Sequence, residues 1–407
     1  MNLRKQSSVK GRRGALEKEL KVSLKHIGSF SLDESVAGSR NCENMIGVAQ
    51  IPLGIAGPLK ISNFKFQISN YYFIPLATTE GALVASVNRG CKAIAASGGA
   101  MVASERVGAT RGPVFRTGSL SQALTLKKWL TQHFKELDHL SKKTSSHLRL
   151  LRLDTRAVGR LVYVRFYFDT QDAMGMNMAT LATTLMGQFI EEETGAKCVS
   201  VAGNFCTDKK PAWQNSVNQR GIAVWAEVQV PAQVLRAVLK TTAKKIYDVW
   251  LAKCLLGSAL SGSLGFNAHH ANVLAAIFAA TGQDLAHVGE VSLGITTAEV
   301  MLQQKSEDLY LSVYLPDLMV GTVGGGTGLA TQKEALEILG VAGGNRGENS
   351  QRLAEITGAA VLAGELSLLA SLAEGTLACA HERLARGHYN TTNPTNVINT
   401  TNELFNV

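Results

Sequence analysis

Asp208, Lys209 and Lys210 stand together in GNFCTDKKP, a segment with turn residues at both ends. An ammonium held in such a turn can stabilise the oxyanion that forms when a carbonyl is attacked, while the neighbouring acid orients substrate or lysine. The plainer alternative is a solvated charged surface. Glu80 follows two threonines and is expected to open a helix, where free amides favour its anionic form. To donate a proton near neutral pH it needs burial or a second carboxylate to raise its pKa; otherwise it is a first-turn acid. Asp284 ends TGQD behind an apolar helix. His381 and His388 follow another apolar helix, where an imidazole of ordinary pKa ~6.5 can protonate a thiolate or alkoxide or simply face water.

Two further motifs are suited to a flat ligand. DAMGMNM (172–178) sets an acid, a glycine and flexible methionines just before a helix, and GTVGGGTGL (321–329) can expose backbone N–H groups. Neither fits G-x-G-x-x-G after a strand or a P-loop, so a dinucleotide would bind on something other than a Rossmann unit. The six cysteines have no C-x-x-C pair and no metal-ligand spacing, which predicts a reduced cytoplasmic setting and no metal.

Positioning these groups requires a sizeable core, and 407 residues with 45% hydrophobic and 18% charged are globular in composition. The periodicity predicts a helix over 15–25, Gly/Pro-rich extended pieces over 43–59 and a strand at 71–76. A helix from Thr78 or Thr79 to about Ala96 follows, stopped by Gly98 and Gly99. Strand, helix, strand and a helix over 177–194 suggest a separate α+β module between about 113 and 202, and the later half reads as mainly helical. No stretch offers ~20 uninterrupted apolar residues, so no membrane span is expected. Of the net charge of +9, most lies in residues 1–27, which hold eight bases and two acids. Such a tail reads as a solvated end rather than a nucleic-acid site.

Taken together, ENMIGVAQIPLGIAGPL, IPLATTEGALVASVNRGCKAI, TRGP, DAMGMNM, GNFCTDKKP, NAHHANVLAAIFAATGQD, GTVGGGTGL and AGELSLLASLAEGTLACAH resemble hydroxymethylglutaryl-CoA (HMG-CoA) reductase in order and spacing over about residues 40–385. DAMGMNM and CTDKKP are similar to class I, the form of eukaryotes, archaea and some bacteria. The resemblance implies an α+β fold: a large, mainly helical substrate domain (41–112 and 203–385) with an inserted small ferredoxin-like, non-Rossmann NADP-binding domain (113–202). An N-terminal basic helical segment (1–40) and a flexible tail (386–407) complete the expected division. It implies a two-step, four-electron reduction of HMG-CoA to mevalonate and coenzyme A using two NADPH. Lys209 would neutralise the oxyanion and His381 protonate the departing thiolate. Glu80 would supply a proton to the aldehyde oxygen, and Asp284 hold Lys209 and keep the Glu80 pKa high.

By the same resemblance, Ser86, Arg89, Arg111, Asp208, Lys210, Lys253 and Asn272 bind substrate. Ser146, His147, Asp172, Met174, Gly175, Met176, Asn177, Gly324, Gly325, Gly326 and Thr327 bind NADPH. A homodimer or homotetramer with shared sites is implied, with no metal, nucleic acid or membrane. The membrane anchor of the eukaryotic enzymes is not seen, which suggests a soluble, cytoplasmic, prokaryotic form. Two departures stand out. His147 replaces the arginine usual at the 2′-phosphate, which opens NADH as an alternative. Ala202 replaces a serine and removes a polar contact.

Overall fold

The computed structural model describes residues 8–20, 22–63, 69–303 and 306–376; His381, His388 and the 386–407 tail lie outside these. Helices α1 (Val9–Leu20) and α2 (Glu34–Arg40) lead into strands β1 (Leu53–Asn63) and β2 (Ser69–Ala77), then α3 (Leu83–Ala96) and β3 (Ala100–Arg111). Next come β4 (Val114–Arg116), α4 (Leu120–Gln132), α5 (Phe134–Thr144), β5 (Arg149–Val158), β6 (Leu161–Asp169), α6 (Met176–Thr194) and β7 (Lys197–Ser200). The remainder runs through α7 (Trp213–Asn218), β8 (Gly221–Val230), α8 (Ala232–Val234), α9 (Ala243–Val249), α10 (Ser258–Ser261) and α11 (His270–Thr281). It ends with α12 (Val288–Val291), β9 (Ile295–Gln303), β10 (Ser306–Leu318), α13 (Ala330–Ile338) and α14 (Glu348–Ala373).

One ten-stranded sheet in the order β7-β4-β6-β3-β8-β10-β9 organises both halves, with antiparallel pairing along this path and β5, β1 and β2 attached at its sides. Strand β3 links them, pairing with β8 over 101–108 and with β6 over 109–111. The alternation in β8 buries Val224, Ala226, Val228 and Val230, and α14 packs on this face. Gly90 of α3 lies so close to the Ala363 carbonyl of α14 that a Cβ there would overlap it, so only glycine permits this crossing.

A second core gathers Phe115, Leu130, Val164, Phe166, Phe168 and Ile190 between the β4–β7 strands and helices α4 to α6. The helix expected at 177–194 and the strand expected at 161–168 are α6 and β6, each within a residue. The later half is mainly helical, as expected, but it also holds three long strands, β8, β9 and β10, whose period-two burial, as in VWAEVQV, was hidden by the surrounding apolar bias. Two expectations need correction. Helix α3 starts at Leu83, because Thr78 Oγ1 accepts the Glu80 amide in a tight turn and Ala82 adopts φ 73. Glu80 therefore precedes the helix rather than opening it. Helix α1 starts at Val9, and its arginines bond the next segment, Arg12 to the Met45 carbonyl and Arg13 to that of Ile46.

Helix α14 is the one described helix long and apolar enough to cross a membrane, and it is mostly buried inside the fold.

Candidate active site

The 203–211 loop turns back on itself through three left-handed residues, Asn204, Thr207 and Lys209 (φ 58). That turn brings Lys209 Nζ to 2.7 Å from Asp284 Oδ2, joining two of the expected catalytic residues. Both side chains remain partly exposed, at 41% and 33%, so the pair can meet a ligand. Burial pushes the Asp284 carboxyl up, but the Lys209 hydrogen bond, the Ala286 amide and the His287 and Lys209 charges outweigh it and hold the pKa below the ordinary value. Asp284 is thus an anion at neutral pH, suited to orienting an ammonium rather than donating a proton.

Behind this pair is a buried charge network that the residue pattern did not reveal. Arg220 is fully buried and bridges Asp208 (3.0 Å) and Glu290. Glu290 also accepts the Lys209 backbone N–H at 2.6 Å and contacts His287 Nδ1 at 2.8 Å. Arg111 reaches Asp208 at 3.5 Å while donating to Thr180. Asp208, His287 and Glu290 are the one described group close enough to share a cation, but Arg220 already engages both carboxylates. Lys210 Nζ curls onto the Asp208 carbonyl and is exposed. Beneath the loop, Asn215 ties Thr207 to Asp317, whose carboxyl is pushed up to about 8 by burial and the nearby Glu290 charge.

A cleft of about 970 Å³ opens beside Pro211 and is lined by Lys253, His269 and Asn272. Lys253 sits on a π-helical stretch, Trp250–Gly257, whose widened turn occurs often at functional sites. Asn272 donates to Glu80 Oε1 at 3.3 Å, so Glu80 joins the cleft through Asn272. A contact between Glu80 and Asp284 is absent among the described residues. His269 was missed, although it lies in the quoted NAHHANV motif; its Nε2 is buried without a partner. Glu365 of α14, fully buried, accepts the Ala268 and His269 amides and the Thr296 hydroxyl, fixing this loop. Its neighbour His270 is held neutral, its pKa lowered by burial to about 4. Ser86 and Arg89 both reach Ser367 of α14, and Arg89 also bonds Ser371, which ties α3 to α14.

The two expected cofactor motifs meet. Thr322 N–H bonds the Asp172 carbonyl, and Ala173 bridges Val323. Gly282 and Gly326 approach so closely that a side chain on either would overlap the other's backbone. Gln283, another missed residue, pairs its amide with both backbone groups of Gly321, which sets Asp284 next to the glycine run. Met174 and Gly175 lead to α6, whose first turn has no side-chain cap and leaves amides available to an anion. Met176 is buried against Arg220, and Asn177 is exposed. Gly324 and Gly325 have open space, while Thr327 caps Gly324 within its turn. Asp172 is engaged internally: its buried carboxylate accepts the Asn345, Gly347 and Ser350 amides ahead of and within α14. Ser146 and His147 are exposed before β5, and His147 contacts Gln171.

A solved structure of similar fold is the class II 3-hydroxy-3-methylglutaryl-CoA reductase from Streptococcus pneumoniae bound to NADPH, with a TM-score of 0.67 at 18% identity over 90% of this chain and 98% of that one. At that identity the likeness is of fold alone. The fold is of α+β architecture, with an ion-paired lysine close to a cleft. The family model described as hydroxymethylglutaryl-coenzyme A reductase matches residues 8–386. The reductase of Methanothermobacter thermautotrophicus is 49% identical over 93% of this chain and 94% of its own length, and that of Aeropyrum pernix 50% over 92% and 89%. The chain belongs to the HMG-CoA reductase family, and the reductase function of the mevalonate pathway comes with that membership.

Proposed function

We propose that this chain reduces HMG-CoA in two steps to mevalonate and coenzyme A with two NADPH, using Lys209 and Asp284 as its central pair. The observation that carries this reading is the 2.7 Å contact between them beside a cleft lined by Lys253 and Asn272. Bound NADPH supplies the hydride for each step. Lys209 lies where an ammonium would face the carbonyl oxygen as it gains charge, and Asp284 fixes its direction. Glu80 and Asn272 act together on the substrate side, and His381 is assigned to protonating the thiolate. Arg111, Asp208 and Lys210 face the hydroxymethylglutaryl group, with Lys253 at the cleft wall. Ser86 and Arg89 support that wall through α14.

The cofactor is assigned to 113–202 together with Gly324 to Thr327. Amides at the start of α6 suit a phosphate, and the open space at Gly324 and Gly325 leaves room for a flat ring. The order β7-β4-β6-β5, with βαββαβ connectivity in which the first crossover is the helix pair α4 and α5, supports a ferredoxin-like description of this module. The exposed His147 supports NADH as a competitor, because an imidazole lacks the bidentate fork with which arginine grips a 2′-phosphate. The class I assignment rests on DAMGMNM and CTDKKP. A homodimer or homotetramer is supported by an uncovered apolar face carrying Leu53, Ile55, Tyr71 and Phe73. A reduced, cytoplasmic setting is consistent with five described cysteines, all free.

The test is nicotinamide absorbance with HMG-CoA, run with NADPH and NADH in parallel. Two cofactors oxidised per coenzyme A released are expected; no turnover with either, from folded protein, overturns the reading.

A further inference from the structure

Lys209 is a non-glycine residue in the left-handed region, a conformation that persists only when its surroundings dictate it. What dictates it is Glu290, from α12. Its fully buried carboxylate accepts the Lys209 N–H, receives Arg220 and contacts His287 Nδ1. An imidazole bonded to a carboxylate through Nδ1 has its ring direction set by that bond, and where a second carboxylate faces Nε2, only the ring carrying a proton on each nitrogen can donate to both. The ring's other nitrogen, Nε2, is buried and has no hydrogen-bond partner. It lies 3.8 Å from Asp284 Oδ2 and 3.9 Å from Asp208 Oδ1. The charged groups around it are Asp208 and Lys209 from the loop, Arg220 before β8, Asp284, and Glu290, with Asp317 of β10 behind Glu290.

We propose that His287 and Glu290 are positioning residues for the reductase reaction: Glu290 fixes the backbone that presents the Lys209 ammonium, and His287 presents an Nε2 donor to Oδ2 of Asp284, the oxygen that Lys209 holds, while the Ala286 amide holds Oδ1. Held on both oxygens without Lys209, Asp284 keeps its place when the ammonium shifts toward a substrate oxygen. The 3.8 Å separation is too long for a hydrogen bond and short enough for a small movement of Asp284 to make one. The inference rests on the reading of Lys209 and Asp284 as the pair that meets substrate.

The test compares His287→Gln, His287→Asn, Glu290→Gln and Lys209→Ala in the full chain by NADPH oxidation with HMG-CoA, alongside thermal melting. A glutamine amide nitrogen reaches the place of Nε2, whereas an asparagine amide nitrogen reaches only that of Nδ1. We expect His287→Gln to keep kcat within about 5-fold of wild type and His287→Asn to lose about 30-fold, with KM for the thioester unchanged within about 2-fold. Glu290→Gln is expected to lower kcat by about 30-fold or more, again with little change in KM. Equal kcat values for the Asn and Gln variants, or wild-type turnover in Glu290→Gln, overturn the positioning role. Full turnover in Lys209→Ala overturns the underlying pair instead, whatever His287 does.

Discussion

The two loops that face the cleft are held in opposite ways. The 203–211 loop is fixed by charge: Arg220 compensates Asp208 and Glu290, and Lys209 answers Asp284. The loop at 266–272 is fixed by one buried carboxylate, Glu365, which gathers two amides and a hydroxyl while His270 beside it stays neutral. A loop held by mutually compensating charges can present an ammonium that still exchanges partners. A loop held through its amides presents its side chains, His269 and Asn272, at fixed positions.

The sharpest way to break the comparison is at Glu365. Glu365→Leu leaves the Ala268 and His269 amides without their acceptor in the core, and is expected to destabilise the chain by about 3–5 kcal/mol, measured by denaturant unfolding. Asp284→Asn should leave the melting temperature almost unchanged while lowering kcat by about 100-fold or more, because the ammonium loses its guide rather than the fold its support.

The loops also respond differently to pH. The His270 pKa is about 4 in the fold against about 6.5 unfolded, so its contribution is complete above 6.5 and lost as pH falls toward 4. Burial raises Glu365, but the His270 and His269 charges, Thr296 and the Ala268 amide hold it below the ordinary value, so it acts in the same direction. Unfolding free energy measured between pH 7 and 4 should fall in wild type, and fall less in His270→Gln. Under the 203–211 loop the sign reverses. Asp317, protonated in the fold up to about pH 8, loses stabilising influence as pH rises from 4 to 8, by at most about 1.4 kcal/mol per unit. Asp317→Asn should therefore gain on wild type as pH rises. The smallest effect is expected at His147→Arg: a shift of about 10-fold in the NADPH to NADH ratio of kcat/KM, from a charge at the exposed edge.

Much of this was legible beforehand. DAMGMNM, CTDKK, GQD and the glycine run are local motifs, and the structure brings Lys209 to Asp284 and the two glycine-bearing motifs into contact. What was not legible depends on residues far apart in the chain. Arg220 reads as a polar residue before a strand until β8 pairs with β3 and places it over Asp208 and Glu290. Glu365 interrupts an apolar helix, but the amides it serves, those of Ala268 and His269, are nearly a hundred residues away. Asp172 shows the converse: the motif drew attention to it, yet its carboxylate serves the backbone of α14. The strands of the later half were missed because apolar residues crowd both periods there, although VWAEVQV carried the alternation.

Helix α14 turns that last point into a matter of phase. Asp172 grips it at Ser350, Glu365 reaches out from its middle, and Ser367 and Ser371 take Arg89 near its end. Fifteen residues of helix separate the first two points, about 22 Å at 1.5 Å per residue. Each residue also carries about 100° of rotation. Inserting a single alanine between Ser350 and Glu365 would preserve length, composition and burial almost fully, yet turn the carboxylate away from the amides it serves. The helix works as a keyed shaft, and what it transmits from Asp172 to the 266–272 loop is orientation.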